Sequence, residues 1–369
     1  MIEGMTNLRD DPLAHHQDAG LGTLIACLAG LDGPTDEAGV WSEPLWRALA
    51  DSRVPHWSIP TEQGGEGLDR PALVRRNALL ASGSLTAAFI LTQHDAAVRR
   101  LAVAAKWGHV RAAEWLIRIT AGESFCTVGL SQLTTSRRLG SRALVATPTS
   151  SGGYRLEGAM PWVTAAGRAD VFVAGAVLDD DRQLLLLIPA DRPGLEVARP
   201  MPLAALQASW TTEVGCRGVE VGPEEVLFGP SSDVLNGITP GSGTGGLETS
   251  ALAIGLARAA LDSLRDLAQE RPDLAVASTA LDSTWRELAS DLIRAAEDRG
   301  VVPASIRGRS NDLALRSTQA YLAARKGSGF LRTEPAQRWA RQALFFLVWS
   351  CPSPVVRAAI EDFAGLCPS

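Results

Sequence analysis

Apolar residues recur along this chain with two different periods, and the change of period divides it into three. From about residue 21 to 122 they return every three to four positions, the spacing of one helix face. Trp46, Leu49 and Ala50 form one stripe, closed off near Pro55. Leu73, Ala78, Leu79 and Leu80 lead another, and the Ala- and Leu-rich run 87–110 makes a third, with Arg99, Arg100 and Lys106 as its solvated positions. Ile59-Pro60-Thr61-Glu62-Gln63-Gly64-Gly65-Glu66-Gly67 interrupts the helices, and adjacent glycines after a proline predict a tight loop with positive φ.

From about 124 to 230 the pattern shortens to apolar runs punctuated by Gly and Pro, which predicts strands. They fall over 125–130, 143–147, 171–177, 183–188, 195–199, 211–214 and 219–221. Between the second and third of these, Gly153 to Gly167 reads as strand and turn, with an indole (Trp162) and a hydroxyl (Thr164) two residues apart. The linker 235–246 holds five glycines and one proline. Helical spacing then resumes: Ile254, Ala257, Leu261, Leu264 and Ala268 form a stripe opposed by Arg258, Asp262, Arg265 and Glu270, and Pro272 stops it. Trp285, Leu288, Ala289, Leu292 and Ala296 make the next stripe, followed by helices over 311–324, 335–349 and 354–363. The expected class is α+β. A flexible N-terminus (1–20) precedes a helical domain (21–122), a central β-domain (123–234), a linker (235–246) and a C-terminal helical bundle (247–369).

Composition narrows the function. The chain has 369 residues, enough for two or three packed units, with 46% hydrophobic and 21% charged positions. A net charge of −6 provides no basic footprint for nucleic acid. The first 20 residues lack the apolar core of a signal peptide, and no apolar run is long enough for a membrane span. Five scattered cysteines without a C-x-x-C argue against a zinc site or a disulfide framework and point to the cytoplasm. There is no P-loop and no strand before Gly241-x-Gly243-x-Gly245-Gly246 to make it a dinucleotide fingerprint.

Several segments, in order, resemble the acyl-CoA dehydrogenase family. Ile59-Pro60 with Gly64-Gly65-x-Gly67 is similar to its proline–glycine loop, and Trp162-Val163-Thr164 to its flavin-facing strand. Ser209-x-Thr211, Val219-Glu220-Val221 and Val226-Leu227 resemble the end of its β-domain. Ile254 to Asp262 with Glu270-Arg271 looks like its first long C-terminal helix, and Gly327-Ser328-Gly329-Phe330 with Pro335 and Arg341 like a later segment. The resemblance implies N-terminal helices, a central β-barrel-like domain, a C-terminal four-helix bundle, bound FAD and a homodimer or homotetramer. It assigns Trp162 and Thr164 to the flavin ring, the backbone of Leu130 and Ser131 to its pyrimidine edge, Arg271 to a pyrophosphate and Gly327 to close approach by the adenosine part. Arg271 also reads as a solvated helix-end arginine, and Gly327 as a loop glycine.

The departures concern the chemistry. Removing the α-proton of an acyl thioester needs a base, and an ungapped count puts Ser350 where most of the family has Glu. A hydroxyl is too weak an acid to serve as a carboxylate does. Some members place the base on the first C-terminal helix, at a position matching Gly245. Glu248 is the carboxylate nearest to it, and it reads equally as a first-turn helix acid. Leu130-Ser131-Gln132 replaces the usual Thr-Glu segment, leaving Thr134, Thr135, Ser136, Arg137 and Arg138 as phosphate binders or as a solvated loop. Lys326 stands where glycine is common.

Three functions follow: an FAD-dependent dehydrogenase of an acyl thioester presented by CoA or a carrier protein, passing electrons to an acceptor; a monooxygenase of the same fold using reduced flavin (FMN or FAD) from a reductase; and an inactive binding homologue. In the second, His94 on its helix would hydrogen-bond or donate a proton near the flavin. The same residue reads as a helix histidine paired with Asp95 or solvent.

Overall fold

The computed structural model describes residues 11–13, 19–134, 143–238, 246–300 and 303–366. Five helices open the chain: α1 (Ala19–Ala38), α2 (Glu43–Asp51), α3 (Arg70–Gly83), α4 (Leu85–Lys106) and α5 (Val110–Thr120). Eight strands follow: β1 (Cys126–Gly129), β2 (Leu144–Pro148), β3 (Tyr154–Val163), β4 (Val171–Val177), β5 (Gln183–Pro189), β6 (Leu195–Val197), β7 (Thr212–Val221) and β8 (Val226–Ser231). The chain then returns to helix: α6 (Val234–Ile238), α7 (Leu247–Glu270), α8 (Ala275–Ala296), α9 (Pro303–Arg325), α10 (Pro335–Ala343), α11 (Phe345–Val348) and α12 (Ser353–Phe363). The class is α+β, as the sequence predicts.

Contacts group the chain into two compact units: one of Met1–Glu37, Arg70–Ala88 and Gly245–Ser369, the other of Ala38–Asp69 and Phe89–Thr244. In the second unit the strands form one mixed sheet ordered β6-β7-β3-β2-β4-β5-β8, with β1 pairing parallel to β4. The end strands β6 and β8 do not pair with each other among the described residues. Every residue of β4 and β5 is buried, and the two-residue period of a strand sends alternate side chains into two separate cores. Val171, Val173, Val177, Leu185 and Leu187 pack with Val98, Leu101, Trp115 and Ile119 of α4 and α5. Phe172, Ala174, Ala176, Leu184, Leu186 and Ile188 pack with Met160, Val163, Val214 and Val219 of the β3–β7 layer.

The sequence reads two strands over 211–214 and 219–221 where the structure has one. Val219 pairs with Leu156 and Arg217 with Glu157, so Gly218 is an extra residue, and its φ of +65° forms a bulge within a continuous strand. Arg100 is corrected from solvated to buried, its Nη1 donating to the Ala96 carbonyl at 2.7 Å. Near the N-terminus, Leu13 is buried and Asp11 pairs with Arg258 at 2.7 Å. Of the 235–246 linker, Leu235 to Ile238 belong to α6, and 239–245 lie outside the described residues.

In the first unit α7 packs against α3, α8 and α9 around Ile254, Leu261, Trp285, Leu292 and Leu313. Trp285 Nε1 donates to the Ile254 carbonyl at 3.0 Å, and the Arg258 guanidinium lies 4.7 Å from the Trp285 ring. At the crossing of α3 and α7 a Cβ on Gly255 would stand 2.1 Å from the Ala78 carbonyl oxygen and 2.7 Å from Ala81 Cβ. Gly255→Ala therefore forces the helices apart. The expected loss is about 3 kcal/mol of unfolding free energy by urea denaturation; an unchanged midpoint would show that the crossing yields freely.

Candidate functional site

Four of the predicted cofactor residues lie in the second unit: Trp162 and Thr164 at the end of β3, Leu130 and Ser131 in the turn after β1, a strand that packs against β3. Met160 of β3 packs directly on Gly129, the last residue of β1. Beyond Gly129 the chain turns at Leu130 (φ −125°, ψ −6°) into a 3-10 turn over Ser131–Leu133. Gln132 fastens this turn, its Nε2 donating to the carbonyls of Gly129 at 2.8 Å and Gly175 at 2.5 Å. Leu130 is half-buried, and Ser131 Oγ is buried without a hydrogen-bond partner among the described residues.

At the end of β3, Trp162 is 43% exposed while Val163 and Thr164 turn inward. Thr127 Oγ1 donates to the Thr164 carbonyl at 2.8 Å and so ties β1 to this point. Thr164 Oγ1 lies 3.1 Å from Thr211 Oγ1, which lies 2.9 Å from Ser209 Oγ. Ala165 N donates to the Ser209 carbonyl at 2.9 Å. The Thr164 hydroxyl thus belongs to a buried chain of three hydroxyls, and the indole is the part of the Trp-x-Thr element presented outward. Thr127, Ser209 and Thr211 were not assigned by the sequence reading. The Ser-x-Thr spacing was its only signal, because a hydroxyl facing inward from a strand carries no periodic mark.

His94, on α4, sits behind this region. It is 1% exposed, and its Nδ1 donates to the Cys126 carbonyl at 3.0 Å. The ring lies 5.1 Å from Phe125 and 5.7 Å from Trp46 between centroids. Burial lowers its pKa to about 4, opposed only in part by the Cys126 carbonyl. At neutral pH the imidazole is uncharged, and with Nδ1 carrying the proton, Nε2 is an acceptor buried without a partner among the described residues. Asp95, its neighbour in sequence, instead accepts from Ser58 Oγ at 2.9 Å. Burial also raises the Cys126 thiol well above its ordinary range, so this Cys–His contact is no nucleophilic pair.

The remaining predicted residues belong to the first unit. Glu248 is half-buried in the first turn of α7, where the helix dipole favours a negative charge. Arg271 caps the other end of α7; its Nη1 donates to the Ala324 carbonyl at 2.8 Å and its Nη2 to Asp273 at 2.7 Å. Gly327 faces open space, with no atom within 4 Å of a Cβ placed there. Lys326 is exposed with φ +54°, a left-handed backbone that accounts for the glycine common at its position. Ser350 is half-buried with φ +44°, following Trp349, whose ring stacks on Phe345 at 5.3 Å. The candidates Thr135, Ser136, Arg137, Arg138 and Gly245 lie outside the described residues.

A cavity of about 590 Å³ in the second unit is lined by Arg111, Trp115, Arg118, Asp170, Asp191 and Arg192 among others, and by none of the predicted residues. Among the described residues no three His, Cys, Asp or Glu side chains converge as a metal site, and no helix is long and apolar enough to cross a membrane.

No family model matches the chain. Among curated proteins, it is 29% identical over 248 residues to benzylmalonyl-CoA dehydrogenase of Aromatoleum aromaticum, covering 64% of this chain and 62% of that one. It is 29% identical over 251 residues to dibenzothiophene monooxygenase of Rhodococcus erythropolis, covering 64% and 59%. The chain thus spans about three fifths of the length of these relatives. Among solved structures, the glutaryl-coenzyme A dehydrogenase–glutaryl-CoA complex superposes with a TM-score of 0.79 at 17% identity over 96% of this chain and 97% of that one. The FMN-bound dibenzothiophene monooxygenase of Paenibacillus sp. A11-2 gives 0.74 at 19% over 95% and 98%. The fold is that of the acyl-CoA dehydrogenases, and the chain is acyl-CoA dehydrogenase-like.

The buried imidazole carries a pH signature. As pH falls, unfolded His94 takes up its proton at the ordinary 6.5, the folded residue only near 4. Its contribution is therefore complete above pH 6.5 and is lost progressively toward pH 4. Between about pH 7 and about pH 4 the loss is roughly 3 kcal/mol. His94→Gln keeps a donor for the Cys126 carbonyl without this titration, so its stability, measured by urea denaturation across that window, falls less steeply than the parent's. Parallel curves would assign the window to other groups.

Proposed function

We propose that this acyl-CoA dehydrogenase-like chain is a flavin-dependent oxidoreductase that binds FAD and oxidises an acyl thioester between its α and β carbons. The observation that carries the reading is the exposed Trp162 indole on β3, a strand that packs against β1 and the turn following it, within the acyl-CoA dehydrogenase fold. An exposed indole face suits stacking on a flat heteroaromatic group. Ser131 Oγ, buried and unpartnered among the described residues, offers a hydrogen-bonding atom in the turn after β1.

FAD, when bound, supplies the acceptor for the β-hydride. The chain's own residues bind and orient. Trp162 would stack on the flavin ring and the backbone of Leu130 and Ser131 would hydrogen-bond it, while the Thr127–Thr164 bond ties β1 to β3. Gly327 leaves room for the adenosine portion. Arg271 reaches a pyrophosphate only by loosening its hold on Asp273 and Ala324. Glu248 is the carboxylate that would take the α-proton, since Ser350 provides none. Supply of the thioester by CoA or a carrier protein, transfer of electrons to a separate acceptor, and assembly as a homodimer or homotetramer belong to the same proposal.

A second reading is oxygenation with reduced flavin, as the name of the Rhodococcus relative describes for that protein. Ser350 in place of a base favours it. The uncharged, enclosed His94 does not supply it with a proton donor at neutral pH.

The test is anaerobic mixing of the FAD-loaded protein with a panel of acyl thioesters, including carrier-bound ones. Bleaching of the flavin absorbance is expected, slowed about 100-fold or more in Glu248→Gln. Trp162→Ala is expected to weaken FAD binding about tenfold. Oxygen-dependent product formed only with reduced flavin would establish the second reading instead, and failure to take up any flavin would sink both.

A further inference from the structure

Arg307 and Asn311 lie four residues apart on one face of α9, and both are buried, Arg307 completely. Among the described residues no carboxylate accepts from Arg307. Its Nη2 donates to the carbonyls of Trp349 at 2.8 Å and Phe346 at 3.4 Å, while Nε and Nη1 are buried without partners. Asn311 Nδ2 donates to the same Phe346 carbonyl at 2.9 Å and lies 3.8 Å from Cys351 Sγ.

Both side chains therefore close on one short segment. α11 has only four residues, so its last carbonyls lack helical partners and form the negative end of a helix. A guanidinium and an amide from α9 take the place of the missing donors. The segment then passes through Ser350 at φ +44°, which L side chains adopt rarely and keep only when the surroundings fix it. Cys351, buried on the far side of Ser350, is in contact with Asn311. A fully buried cation with two idle donors is a poor source of stability, because apolar side chains of similar volume usually serve a core at least as well. Its position explains it better: it holds the Phe346 and Trp349 carbonyls on one side of Ser350 and interacts with the Cys351 side chain on the other, as Asn311 holds Phe346 and meets Cys351.

We propose that Arg307 and Asn311 are positioning residues that clamp residues 346–351 and hold Ser350 in its left-handed turn. The kinetic consequence rests on the proposed function and on the resemblance that puts Ser350 at the position of the family's base; the clamp itself does not.

The test reads the clamp without flavin. Iodoacetamide labelling of the full chain is followed by peptide mass spectrometry, with exposed Cys27 as internal reference. In the parent protein Cys351 is expected to label at least about tenfold more slowly than Cys27, because it reacts only through local opening. Asn311→Ala and Arg307→Met are expected to accelerate Cys351 about tenfold with Cys27 unchanged, and Arg307→Lys, which keeps the charge and a donor, much less. Circular dichroism establishes that each variant is folded; if the Arg307 variants do not fold, Asn311→Ala decides alone. Cys351 labelling as fast as Cys27 in the parent, or unchanged in Asn311→Ala, overturns the proposal. In the kinetic arm, anaerobic flavin reduction in Asn311→Ala is expected to lose about tenfold in kcat with KM little changed. If labelling responds while no thioester reduces the flavin, the clamp stands and the dehydrogenase reading falls. Faster labelling with an unchanged kcat would confine the clamp to the fold and refute its role in placing Ser350 for the reaction.

Discussion

Burial of β4 on both faces is the constraint around which the second unit is organised. A strand that shows no side to water must be covered twice, and here alternate residues enter two cores of different make-up. Helices supply one cover and the β3–β7 ribbon the other. β1 joins β4 on the same edge as β2, along the opposite half of the strand. That arrangement brings β1 against β3, so Gly129 packs on Met160 and Thr127 bonds the Thr164 carbonyl although more than 30 residues separate the partners. The candidate cofactor surface is thus a by-product of how a doubly buried strand is covered.

The hydroxyl chain of Thr164, Thr211 and Ser209 shows how polar groups are accommodated at such a boundary. Each oxygen can donate to one neighbour and accept from another, so the group is satisfied internally where water does not reach. The Thr164 carbonyl is taken by Thr127 and the Ser209 carbonyl by the amide of Ala165. The polar side of the Trp-x-Thr element is consumed in holding its own loop, which leaves the indole as the outward contribution. His94 illustrates the opposite outcome: desolvation governs its ring, and a single carbonyl fixes which nitrogen bears the proton.

What could be read from the sequence follows from periodicity. Runs such as Val171 to Val177 and the stripe from Ile254 to Leu264 announce themselves because burial repeats at the period of the element. The misreadings occur where a polar residue or glycine breaks that repeat for a local reason. The strand β7 looked like two because Gly218 adds a residue to one side of the ribbon. The helix predicted over 311–324 begins at Pro303, because Arg307, Gly308 and Ser310 look like a loop until the carbonyls of α11 are seen beside Arg307. Predicted helix 335–349 breaks after Ala343, and its final turn bends into the Ser350 segment. Arg100 escaped notice because a guanidinium can satisfy itself on its own helix one turn back. Motif order identified the fold, yet spacing could not say which way the Thr164 hydroxyl points, since that depends on Ser209 and Thr211 across the sheet.

The open indole of Trp162 has a thermodynamic consequence of its own. It is apolar surface that folding by itself does not withdraw from water. If a flavin ring covers it, the ligand binds the folded chain alone, and mass action adds stability that grows with ligand concentration. At a free concentration one hundred times Kd that increment is about 2.7 kcal/mol, a large fraction of the margin by which most domains remain folded. Cofactor supply would then set not only how many molecules can react but how many survive proteolysis, so that the abundance of this protein in a cell tracks its flavin.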